Sequence, residues 1–278
     1  MNIDINYSII HSEFKNSTSD IKYLVKPKGQ KVLIIAPHPD DEILGCGGTL
    51  CKHIDENDFV SVLYLTNGEK GGNNDQNIIS EQRYNEAIEV LKECGVAKYF
   101  FFGLKDQAID INSVIINRLA DIIAENFIDL IYLPHLGDSH VDHFSANILL
   151  ANALNKITYN DISVLGYEIW SPAETNLIIN ISNEIERKNK LLKKYKSQLE
   201  NFDFWTLSKS LSEYRAHSCI KTNASYIKAI IKENKMREKK GLTNVFPWSH
   251  VEAFHALSKE EYCSYIFERY PSLQIFEI

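Results

Sequence analysis

His38-Pro39-Asp40-Asp41-Glu42 sets one imidazole and three carboxylates within five consecutive positions. Adjacent carboxylates repel one another unless a cation neutralises them, and imidazole with carboxylate is a donor set for zinc and its neighbours. A helix starting here would use one acid as its cap and a second to complement its dipole. The histidine and one acid are then left over, so the segment points to a divalent metal. A second cluster lies about 100 residues further on: His135, then Asp138-Ser139-His140-Val141-Asp142-His143, with three of the nine histidines inside nine positions. His140 and His143, three apart, can share one face of a turn. The two clusters together supply ligands suited to zinc, with a coordination position left open for chemistry.

Both clusters follow runs that read as buried strands. Residues 31–36 are nearly all aliphatic, as a central strand covered on both faces should be, and a helix is expected over 42–53. Further strands are expected at 59–66, 98–102 and 129–133, and helices at 78–94, 113–127 and 144–154. Gly95 stops the helix over 78–94, and Val114, Ile115, Leu119, Ile122 and Ile123 line one face of the helix over 113–127. Four strand-helix units in succession predict an α/β fold with a Rossmann-like, mainly parallel sheet flanked by helices. In a doubly wound sheet of order 3-2-1-4-5, strands one and four are neighbours, and their carboxyl ends open the crevice where ligands bind. Topology would therefore bring the two clusters to one place.

The second half is less regular, with strands expected near 162–169 and 177–181 and a charged helix over 183–199. Basic runs at 187–196 and 232–240 read as solvated helix faces. Without repeats, low-complexity tracts or a Pro- or Gly-rich linker, residues 29–278 are expected to form one domain. Its core motifs fall in 31–170, its variable C-terminal elaborations in 171–278, and residues 1–28 are an extension packed on it. The glycines after the first cluster do not make a dinucleotide fingerprint: Gly45-x-Gly47-Gly48 has Leu50 at the third glycine's place, and three acids would face the pyrophosphate.

Composition excludes other classes. The 278 residues are 44% hydrophobic and 24% charged, which is incompatible with intrinsic disorder, and 30 Lys and Arg against 37 Asp and Glu disfavour a nucleic-acid partner. No run approaches the roughly 18 to 20 apolar residues of a membrane span, and the N-terminus lacks the pattern of a signal peptide. Five scattered cysteines (46, 51, 94, 219 and 263) without Cys-x-x-Cys read as reduced, mostly buried thiols. The expected location is cytoplasmic, and nothing in the sequence fixes an oligomeric interface.

The two clusters resemble the hallmark segments of the PIG-L/LmbE-like family of metal-dependent N-deacetylases: His-Pro-Asp-Asp-Glu after the first strand and His-x-Asp-His after a later one. Thr66-Asn67-Gly68-Glu69, Arg83-x-x-Glu86 with Ala87 and Leu91, and Tyr167-Glu168-x-Trp170 extend the likeness over about residues 30 to 170. Beyond that it thins to Tyr195-x-Ser197-Gln198 and Glu252-Ala253-Phe254. Val141 stands where proline is common, a change in loop rigidity that removes no ligand.

The resemblance implies that His38, Asp41 and His143 ligate Zn2+, with Fe2+, Co2+ or Mn2+ as substitutes. It makes Asp40 the general base and His140, oriented by Asp142, the stabiliser of the oxyanion, and it puts Arg83, Glu168 and Trp170 at the substrate, with Glu252 a weaker candidate. The reaction it implies is removal of acetyl from an N-acetylglucosamine-like amino sugar, small or oligosaccharide. A metallo-phosphoesterase, a hydrolase of another amide and a non-catalytic sugar-binding module are the rival readings.

Overall fold

The computed structural model describes residues 21–72, 75–200, 202–218, 224–241 and 248–275. Residues 1–20, most of the expected N-terminal extension, and Cys219 lie outside the described residues.

The run 31–36 is β2 (Lys31–Ala36), and all of it but Lys31 is buried. Val32, Ile34 and Ala36 enter one core and Leu33 and Ile35 the other, as the two-residue period of a strand covered on both faces requires. The chain continues through α1 (Asp41–Asp55), β3 (Phe59–Thr66), α2 (Gln76–Cys94), β4 (Lys98–Leu104), α3 (Ser113–Glu125), β5 (Leu130–Pro134), α4 (Val141–Leu154) and β6 (Ser163–Tyr167). These five strands are parallel and lie in the order β4-β3-β2-β5-β6, the arrangement expected from the sequence.

From β2 the chain steps outward to β3 and β4, with α1 and α2 packed in the first core. It then crosses back to pair β5 with β2, and α3 and α4 fill the second core. The reversal creates a switch point between β2 and β5, at whose carboxyl ends the loops part and leave a crevice. Both chemical clusters stand there.

The C-terminal half departs from expectation. The two strands expected there are present as β6 and β7 (Leu177–Asn180), but β8 (Val251–Ser258), which the sequence reading did not mark, runs antiparallel between them. β1 (Lys22–Leu24) adds a parallel edge to β7, completing an eight-stranded sheet among the described residues. The charged helix expected over 183–199 is two helices, α5 (Ile185–Leu192) and α6 (Lys196–Leu199). The break turns Tyr195 fully inward, a direction that a continuous surface helix would not give it. α7 (Phe204–Ser218), α8 (Ala224–Lys239) and α9 (Lys259–Arg269) complete the fold, and no helix among the described residues is long and apolar enough to cross a membrane.

The glycines of α1 serve close packing. A Cβ at Gly45 would stand 2.1 Å from the Tyr167 ring, and one at Gly48 2.6 Å from Ile181. Tyr167 is fully buried and its hydroxyl donates to the Ile35 carbonyl at 2.9 Å, so the ring cannot move aside. Gly45→Ala should therefore destabilise the protein by about 1 to 3 kcal/mol through overpacking, read as a lower urea midpoint at unchanged slope. A wild-type midpoint would show that α1 can shift. Glu252, the weaker site candidate, has a structural task instead. It accepts from the Gly48 and Thr49 amides at 2.8 and 2.7 Å and pairs with buried Lys188 at 2.9 Å, fastening α1 and α5 to β8.

Candidate metal centre and active site

β2 ends at Ala36, and Pro37-His38-Pro39 carries the chain over the sheet edge into α1. Asp40 occupies the N-cap position of α1 with φ 128° and ψ −26°, and its carboxylate makes no capping bond. A non-glycine residue held at such an angle is strained by about 1 to 3 kcal/mol and persists only where its surroundings enforce it. The Asp40 carboxylate is therefore not spent on capping. Asp41 turns back instead, its Oδ2 accepting from the His38 amide at 2.8 Å and standing 3.2 Å from His38 Nδ1.

The second cluster arrives from β5. His140 is the N-cap of α4, and its Nδ1 accepts from the Asp142 amide at 3.1 Å. That bond puts the proton of the neutral ring on Nε2, and burial and the neighbouring His38 and His143 lower the pKa of the ring, favouring the neutral form. One turn on, fully buried His143 brings Nε2 to 3.4 Å from Asp41 Oδ2, while its Nδ1 lies 3.0 Å from Asp138.

One carboxylate oxygen of Asp41 thus faces a ring nitrogen from each cluster. Donors about 2.0 to 2.1 Å from a tetrahedral ion lie roughly 3.3 Å apart, so separations of 3.2 and 3.4 Å fit a zinc-type site. Both ring nitrogens of His143 are buried without a well-formed hydrogen bond, and each stands beside a carboxylate, Nε2 at Asp41 and Nδ1 at Asp138. The carboxylate on its far nitrogen is the support that metal-bound histidines regularly have. Among the described residues, the groupings whose ligand atoms all lie within 4.8 Å of one another are His38, His140 and His143, and His38, Asp106, His140 and Asp142; Asp41 is in neither and meets His38 and His143 pairwise.

Asp40 faces the same space from the side of α2. Burial pushes its carboxyl up to about 7, against the pull of Arg83, whose guanidinium lies 3.1 Å away. A dication beside it would bring the value down, so that the carboxylate is ionised at neutral pH and able to accept a proton. Burial acts to raise Asp41 too, but His143 and His38 outweigh it and hold that carboxylate ionised.

A cavity of about 240 Å³ opens over these groups, lined by His38, Asp40, Asp41, Arg83, His140 and Trp170 among others. Two expected site residues make other contacts. Glu168 is not among the residues lining this cavity: just past the end of β6, its carboxylate pairs with Arg215 of α7 and accepts from the Ala173 amide at 2.6 Å. The Asp142 carboxylate does not orient His140; it accepts from the Gln107 amide at 2.8 Å and lies 3.0 Å from His38 Nε2, reaching His140 only through its backbone.

Two acids had no role in the sequence reading. Asp106, after β4, lies 3.4 Å from His38 Nε2 and accepts from the Lys70 amide at 3.0 Å. Its one sequence signal is an acid just past a strand's carboxyl end, without a histidine beside it to mark it. Asp138 stood within the second cluster, yet its spacing of five from His143 matches no helical turn, since it reaches back from the loop.

Comparison with known proteins places this geometry. Residues 33–154 match the family model described as PIG-L, GlcNAc-PI de-N-acetylase. Diacetylchitobiose deacetylase of Thermococcus kodakarensis is 24% identical over 196 residues, 64% of this chain and 73% of the relative. The probable N-acetyl-alpha-D-glucosaminyl L-malate deacetylase 2 of Bacillus cereus is 26% identical over 61% of this chain and 84% of its own length. Among solved structures, the N,N'-diacetylchitobiose deacetylase of Pyrococcus horikoshii superposes with a TM-score of 0.65 at 19% identity, covering 98% of this chain and 99% of that one. GalB, a 4-carboxy-2-hydroxymuconate hydratase from Pseudomonas putida, shares the fold at a TM-score of 0.63 and 16% identity over 85% of this chain and 96% of its own. The fold alone therefore does not select the reaction, and the site must.

Proposed function

We propose, from the match of residues 33–154 to the PIG-L family model, that the chain is a zinc-class metal-dependent N-deacetylase acting in the cytoplasm on a soluble amino sugar that bears an N-acetyl group. The observation that carries this reading is the convergence of His38 Nδ1 and His143 Nε2 on one oxygen of Asp41, with Asp40 and His140 on the same cavity.

His38, Asp41 and His143 would hold the ion. When bound, it would supply Lewis-acid polarisation of the amide carbonyl and a water made acidic enough to ionise near neutral pH. Asp40, buried and held ready by Arg83, takes the proton as water attacks the carbonyl carbon. The His140 ring, with its proton on Nε2, donates to the oxygen that gains charge. As the carbon-nitrogen bond breaks, Asp40 returns the proton to the leaving amine, giving acetate and a free amino sugar. Arg83 and Trp170 line the same cavity, so the sugar is placed against them.

Metal-loaded protein should release acetate from one class in a panel of N-acetylglucosamine derivatives offered free, nucleotide-linked, glycosidically linked and as short oligosaccharides. The class that reacts identifies the carrier. Phosphate release without acetate would replace this reading with a phosphoesterase, and binding without turnover would leave only a sugar-binding module.

A further inference from the structure

The segment Tyr195-Lys196-Ser197-Gln198 lies nearly 160 residues beyond the first cluster, yet three of its side chains, Tyr195, Ser197 and Gln198, lead back to Asp40, and Gln198 also lines the cavity. The Tyr195 hydroxyl donates to Glu42 Oε1, and Glu42 Oε2 in turn accepts from the Asp40 amide at 3.1 Å. Tyr195 and Glu42 are both fully buried, with the Tyr64 hydroxyl 3.3 Å from that of Tyr195, so the chain of bonds is closed to water. It ends on the backbone of the residue whose φ of 128° needs enforcement.

The other two side chains reach Asp40 through Arg83. Ser197 donates from its amide and hydroxyl to Glu86 at 2.9 and 2.6 Å, fixing α2 one turn from Arg83. Gln198 Nε2 donates to the Gly71 carbonyl at 3.1 Å. Gly71 and Gly68 form the wall against which the guanidinium packs, since a Cβ at either would stand 2.3 or 2.5 Å from Arg83 Nη1. Arg83 then donates to the Pro39 carbonyl at 2.6 Å and pairs with the Asp40 carboxylate at 3.1 Å.

We infer that Tyr195, Ser197 and Gln198 are positioning residues for Asp40: one C-terminal turn sets its backbone through Glu42 and its carboxylate through Arg83. The inference rests on the reading of Asp40 as the general base. It explains why this short helix breaks away from α5 and turns Tyr195 inward. A base displaced by a fraction of an ångström loses the alignment that proton transfer needs, and such misplacement is felt in turnover while metal and substrate still bind.

Tyr195→Phe keeps the ring and removes only the donor. It should lower kcat by roughly tenfold or more with KM within about twofold and bound metal per chain unchanged. Ser197→Ala should behave alike, and Ser197→Thr, which restores the hydroxyl, should recover most of the loss. Tyr159→Phe, which removes a hydroxyl bonded to the Ile123 and Ile128 carbonyls away from the site, controls for general destabilisation and should leave kcat alone. Folded Tyr195→Phe and Ser197→Ala proteins with wild-type kcat would overturn the positioning role. Asp40→Asn separates the premise: if it retains turnover, the base assignment has failed and not the positioning argument alone.

Discussion

Asp41→Ala is expected to yield a folded protein that no longer retains a divalent metal and no longer releases acetate above background. Asp41 Oδ2 stands between His38 Nδ1 and His143 Nε2, at 3.2 and 3.4 Å, so its loss removes the anion that those two nitrogens share. A site reduced to two neutral donors lacks the third protein ligand of catalytic zinc centres. The same oxygen accepts from the buried His38 amide, and stranding that donor should cost about 1 to 3 kcal/mol of stability. Metal per chain by mass spectrometry, beside a thermal melt, separates the two effects. Full metal occupancy in the variant would move the site to the alternative donors His140 and Asp106.

Asp40→Asn should do the opposite: metal retained, KM little changed, and turnover reduced by roughly 10² to 10⁴, the usual contribution of a general base. Asparagine is the informative substitution because it tolerates positive φ better than alanine and keeps an oxygen for Arg83, so the strained backbone at φ 128° is preserved while the base is removed. The pair of variants forms a double dissociation between adjacent residues. Loss of metal in Asp40→Asn, or turnover close to wild type, would reverse the assignment of the two aspartates.

How much of this was legible in the sequence depended on how local the information was. The aliphatic runs 31–36 and 129–133 named β2 and β5, and the right-handed doubly wound rule made them neighbours, so both ends of the metal site could be placed before any coordinates. Ligand types at short spacing carried the rest. What failed was long-range. Nothing in 251–258 says that this strand inserts between β6 and β7, because strand order at a sheet's far side is set by packing between segments far apart in sequence. Glu168 read as a site residue from its place in Tyr167-Glu168-x-Trp170, yet its partner is Arg215 on α7. Asp142 sits beside His143 in sequence, but its carboxylate answers to Gln107 and His38, brought by β4 and β2. The N-cap geometry of His140, which points Nδ1 at a backbone amide, also appears only once the turn is built.

The central claim is that one metal held by His38, Asp41 and His143 makes this cavity an amide hydrolase. The most direct test is the stoichiometry of acetate and free amine formed from the reactive N-acetyl amino sugar by metal-loaded protein, by protein stripped with chelator, and after zinc is restored. The account predicts equal amounts of both products, loss of both on stripping and return of both with one metal per chain. Product formation that survives complete metal removal would contradict it.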